Sequence, residues 1–66
     1  MDYTIVAYVH RLNKWRVLKY YLRNTDAATA QKEAREIFER EKAEAVEVLE
    51  WRVDDSDYKV FSIEGE

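Results

Sequence analysis

The residues best suited to chemistry lie together in HRLNKWRVLKYYLR, residues 10–23, with five Lys/Arg, one His, three aromatic rings and no acid. Cations interleaved with rings can meet phosphates while the rings stack on exposed bases. They equally suit a protein interface, where Arg, Tyr and Trp are favoured. The rest of the chain is of opposite charge. Residues 1–25 carry five Lys/Arg against one acid, residues 26–66 carry six against thirteen, and the net charge is −3. The default reading of the basic stretch is therefore solvated positive charge balancing an acidic remainder.

Catalytic chemistry has little to work with. There is no Cys, the only His is His10, and Ser56 and Ser62 lie far from it in sequence with no motif around either. The one glycine, Gly65, excludes a Gly-rich phosphate cradle. DDSD at 54–57 lacks the twelve-residue spacing, central Gly and distal Glu of an EF-hand and reads as an ordinary turn. No carboxylate pair sits in a recognisable apolar setting. A non-enzymatic protein without metal or cofactor is expected.

Sixty-six residues suffice for a single domain, 1–66, that buries only about 60% of the surface its unfolded chain exposes. Without disulfides or a metal, oligomerisation or a very regular core is what remains to support it. The 47% hydrophobic and 14% aromatic content argues against disorder, and no apolar run is long enough to span a bilayer. No charged n-region precedes an apolar h-region, so a cytoplasmic protein with no membrane partner is expected.

Four strands and a helix must position the basic stretch. YTIVAYVH and WRVLKYYLR are β-branched and aromatic and flank a turn at LNKW. Setting Leu12 opposite Trp15 pairs Val9 with Leu18, Ala7 with Tyr20 and Ile5 with Leu22 on a core face. The same register pairs Val6 with Tyr21, Tyr8 with Lys19 and His10 with Val17 on the other face. Residues 26–44 read as a helix capped by Thr25 or Asp26, with Ala30, Ala34, Ile37, Phe38 and Ala45 at helical spacing. VEVLEWRV and YKVFSIE form a second hairpin. A three-residue loop at Asp55–Asp57 places Trp51, Leu49, Phe61 and Ile63 in the core and turns Val48, Glu50, Arg52, Tyr58, Val60 and Glu64 outward. The order β-β-α-β-β predicts an α+β two-layer sandwich: a four-stranded, mainly antiparallel sheet in order 2-1-3-4 with the helix on one face.

The bare sheet face is then the candidate site. Tyr8, Leu12, Trp15, Val17, Tyr21 and Tyr58 are its expected protein-contact residues, because a contiguous exposed apolar patch usually marks an interface. Arg11, Lys14, Arg16, Lys19 and Arg23 are the contacts expected if the partner is a nucleic acid instead. A homodimer through the face or a sheet edge is a further expectation, as is a structural or designed protein with no ligand.

With YTIVAYV, WRVLKYYL, ATAQKEAREIFE, VEVLEWRV and YKVFSI in this order, the plan resembles small phage-encoded proteins, anti-CRISPR inhibitors among them. These are acidic, Cys-poor chains built as two hairpins around one helix. The resemblance implies a viral, anti-defence inhibitor that occludes a surface of a larger complex. It carries over no functional residue.

Overall fold

The computed structural model describes residues 1–52 and 57–65. Along the chain lie β1 (Tyr3–Arg11), β2 (Lys14–Leu22), α1 (Ala27–Arg40), β3 (Ala45–Trp51) and β4 (Asp57–Glu64). The strands form one antiparallel sheet in the expected order β2-β1-β3-β4, and the helix packs on one face. β1 pairs on both edges and is buried from Tyr3 through Ala7.

Alternation along β1 divides the sheet. Tyr3, Ile5, Ala7 and Val9 face the helix with Val46 and Val48 of β3. Ala30 and Ala34 have no exposed surface, so α1 lies close on these residues, with Ile37 completing the contact. The helix rests on β3, β1 and β4. On β2 the side chains of Leu18, Tyr20 and Leu22 are only partly buried.

The helix ends are defined by their hydrogen bonds. At the N-terminus the Asp26 carboxylate accepts the Thr29 N–H at 2.7 Å, which holds its pKa below the ordinary 3.8. At the C-terminus the helix stops at Arg40 rather than 44. Lys42 takes a left-handed φ of 52°, the Ala43 N–H bonds the Phe38 carbonyl at 3.0 Å, and the Lys42 N–H bonds that of Glu39 at 3.3 Å. This is a Schellman motif with lysine at the position that favours glycine.

Both hairpins differ from the expected registers. In the first, Leu12 and Asn13 are the two turn residues, both at positive φ. The pairs become Ile5–Tyr20, Ala7–Leu18, Tyr8–Val17 and His10–Trp15. The slip is two residues, so every side chain that remains in the two strands keeps its expected face, and only Leu12 leaves it for the turn. This register places Arg11 opposite Lys14. The repulsion is relieved because Arg11 turns to Glu41, donating to its carbonyl at 2.6 Å and its carboxylate at 3.1 Å.

In the second hairpin the faces of β3 are reversed. Val48 is fully buried, whereas Leu49 and Trp51 lie on the bare face, because Val48 pairs with inward-facing Ile5 and Leu49 with Thr4. The Schellman turn delivers the chain in this phase: the Glu44 N–H bonds the Tyr8 carbonyl at 2.8 Å and Ala43 is buried. Across the strand, Phe61 opposes Val48 but Lys59 opposes Leu49, so Val60 is the extra residue of a β-bulge. The bulge lets the adjacent apolar pair Val60 and Phe61 both pack against the core. The loop residues Asp55 and Ser56 lie outside the described residues, and Asp57 already pairs with Trp51.

Lys42 generates a stability prediction. Lys42→Gly removes the left-handed penalty at the helix end and raises stability by about 0.5–1 kcal/mol after the entropy cost of glycine. For a chain this short, that raises Tm by roughly 3–8 °C in a thermal melt.

Candidate functional site

The bare face is laid out in rows across β2, β1, β3 and β4. Tyr21, Thr4, Leu49 and Lys59 form one row; Lys19, Val6, Glu47 and Ser62 the next; Val17, Tyr8, Ala45 and Glu64 the third. Trp15 beside His10 closes the turn end, their rings 4.7 Å apart. Trp51 closes the other end. Its indole N–H donates to the Thr4 hydroxyl, and its ring meets Tyr21 edge-on at 6.3 Å.

A shallow groove of about 280 Å³ lies between these ends. Thr4, Val6 and Leu49 floor it, and Lys19, Tyr21, Trp51 and Arg52 wall it. Among the described residues no carboxylate lines it. Glu47, the nearest acid across the row, accepts the Tyr8 hydroxyl at 2.8 Å and lies 3.4 Å from the Lys59 ammonium. Glu50 pairs with Arg52 at 3.2 Å. Lys19 makes no ion pair among the described residues. The groove thus offers aromatic walls and a cation to a group that is apolar on one side and anionic on the other.

The expected protein-contact residues fare differently. Trp15, Val17 and Tyr21 lie on the bare face and are 64%, 53% and 62% exposed. Tyr8 lies on the same face, half-buried and tied to Glu47. Leu12 is not part of the face: it occupies the turn, 93% exposed at φ 52°. Tyr58 is also off the face. The bulge pairs it with Glu50 in helix-side alternation, where the Arg52 guanidinium sits 4.0 Å from its ring centre. Leu49 and Trp51, expected in the core, are the groove residues that sequence alone misplaced.

The five cations expected to meet nucleic acid do not all share a surface, although Arg11, Lys14 and Arg16 line one recess beside the turn. Lys19 follows the bare-face alternation of β2, whereas Lys14 and Arg16 follow the opposite one. Arg11 is engaged with Glu41, and Arg23 lies beyond the end of β2. His10 stacks on Trp15, Ser62 opposes Glu47, and no hydrogen bond among the described residues joins the two. Among the described residues, no group of three His, Cys, Asp or Glu is placed to hold a metal. No helix among the described residues is long and apolar enough to cross a membrane.

Two phenols couple this arrangement to pH. The hydrogen bond to Glu47, then burial, raises the Tyr8 pKa above 10.0, and burial followed by the charge of Glu50 does the same for Tyr3. A pKa raised on folding gives stability that is complete below 10.0 and lost as pH rises through the folded-state values. The protein is expected to lose stability in that alkaline window, its denaturant midpoint falling as tyrosinate absorbance rises. Tyr8→Phe costs about 1 kcal/mol at neutral pH, read from denaturant melts, and reduces the alkaline loss. Comparison of the chain with protein-family models, with curated proteins and with solved structures returned no match.

Proposed function

We propose that the chain is a non-catalytic binding protein that holds a protein partner on the bare face of its sheet. One observation carries this reading: Trp15, Val17, Tyr21 and Trp51 lie on one face, each at least 45% exposed, and Tyr21 and Trp51 wall a groove that no carboxylate lines among the described residues. Exposed tryptophan and tyrosine gathered on one face are the anchors from which protein interfaces draw most of their affinity. A partner segment with an apolar side chain for the groove and an acid near Lys19 fits this chemistry. Together with the architecture, this supports an inhibitor of the small phage-encoded, anti-defence kind, acting in the cytoplasm by covering a surface of a larger complex.

Nucleic-acid binding is the second reading. It draws on the five cations of the first hairpin, and their division between the two sides of the sheet weakens it. Salt separates the two, because phosphate contacts lose affinity steeply with log[salt] and an aromatic interface changes little. The test is capture of the partner from the native host, followed by affinity measurements with Trp15→Ala and Tyr21→Ala at low and high salt. Each variant is expected to lose at least ~2 kcal/mol, around thirtyfold in Kd, with little dependence on salt. Wild-type affinity in both variants, or a captured nucleic acid released by salt, would refute the proposal.

A further inference from the structure

β2 is an open edge of the sheet: β1 pairs with one side of it and, among the described residues, nothing pairs with the other. The two edges of this sheet are not alike. β4 carries the bulge at Val60, a common protection against edge pairing, whereas β2 runs nine residues in unbroken register without proline or glycine. The helix, resting on β3, β1 and β4, leaves Leu18, Tyr20 and Leu22 of β2 half-covered on the core side. Edge and core are therefore both incomplete along the same strand.

The hydrogen-bonding phase of the open edge follows from the turn. Leu12 and Asn13 form a two-residue turn, so Arg11 and Lys14 are its closing, mutually hydrogen-bonded pair. By alternation Lys14, Arg16, Leu18, Tyr20 and Leu22 bond to β1. Trp15, Val17, Lys19 and Tyr21 present their N–H and C=O groups to the open edge.

We infer that the partner of this edge is a second copy of the chain, joined β2 to β2 in antiparallel register about a twofold axis at Leu18. Leu18 is the middle residue of β2, so this register pairs the whole strand. On the bare face Trp15 meets Tyr21 of the other copy, and Val17 meets Lys19. On the helix side Arg16 meets Tyr20, Lys14 meets Leu22, and Leu18 meets Leu18. No cation opposes a cation, although the strand carries three. Moving the axis to Lys19 sets two lysines opposite each other, which is destabilising. Moving it to Val17 leaves Tyr21 and Leu22 facing the turn. The chosen register forms about eight backbone hydrogen bonds, joins the half-covered apolar side chains of two cores, and makes one eight-stranded sheet. Both groove faces remain open on the same side, so the dimer is compatible with the proposed function, and Trp15 and Tyr21 beside the seam belong to both; cross-linking at Leu18 reads the dimer without touching either ring.

The chain has no native cysteine, which makes the register directly readable. Leu18→Cys places two thiols opposite each other across the axis, within disulfide reach. Arg16→Cys places them roughly 14 Å apart along the strand. Under mild oxidation Leu18→Cys is expected to form a covalent dimer much faster than Arg16→Cys. Equal rates, or faster cross-linking at 16, would overturn the register. In light scattering, Val17→Lys, which sets lysine against Lys19 of the other copy, is expected to weaken association at least tenfold. Val17→Glu, which sets a carboxylate there, is expected to preserve or tighten it; circular dichroism confirms that both variants fold. A wild-type chain still monomeric at about 1 mM, or a Val17→Lys chain that dimerises as well as wild type, would overturn the inference.

Discussion

Burial of β1 on both faces and both edges is the constraint on which the rest of the structure depends. Its inward residues Tyr3, Ile5, Ala7 and Val9 define the core side, and Thr4 and Val6 form the floor of the groove opposite. β2 and β3 take their phase from it, one through a two-residue turn and the other through the Glu44–Tyr8 backbone bond that follows the helix. The cost of setting Leu12, Asn13 and Lys42 in left-handed conformations is borne because each tight turn brings a strand into register with this buried one.

A small core explains the character of the surface. Its fully buried large side chains are Ile5, Val9, Val46 and Val48, and alanines supply much of the remaining contact. The bulkier rings of Trp15, Tyr21 and Trp51 are left on the other face, where Tyr21 and Trp51 meet edge-on, Trp51 donates to Thr4 and Trp15 lies against His10. Apolar area that contributes little to folding is therefore available for binding. The charged groups behave in a complementary way. Glu47, Glu50 and Glu41 each hold a partner within the fold, and Lys19 stands beside the groove with none among the described residues.

Much of this architecture was legible in the chain itself. β-branched and aromatic runs marked four strands, the Ala30–Ala34–Ile37 spacing marked the helix and its buried side, and Asp26 marked its start. The order β-β-α-β-β, with a crossover between hairpins, led to the sheet order 2-1-3-4. The faces of the first hairpin were also correct, because a slip of two residues preserves them. Trp15, Val17 and Tyr21 were thereby placed on the bare face from alternation alone.

What the sequence determined is thus the set of elements, their order, and the side to which each residue of the first hairpin points, all properties of local periodicity. Tertiary structure decided the phase of the second hairpin. Along β3 both alternations are apolar, Val46 and Val48 on one and Leu49 and Trp51 on the other, so local pattern could not choose between them. Where α1 ends decides it: the left-handed Lys42 and buried Ala43 turn the chain so that Val46 and Val48 meet Ala7 and Ile5. The bulge at Val60 then carries Tyr58 to the helix side and leaves Trp51 opposite Tyr21. The groove exists only because of that phase. Its walls come from residues thirty positions apart, and no local interaction in the chain records their meeting.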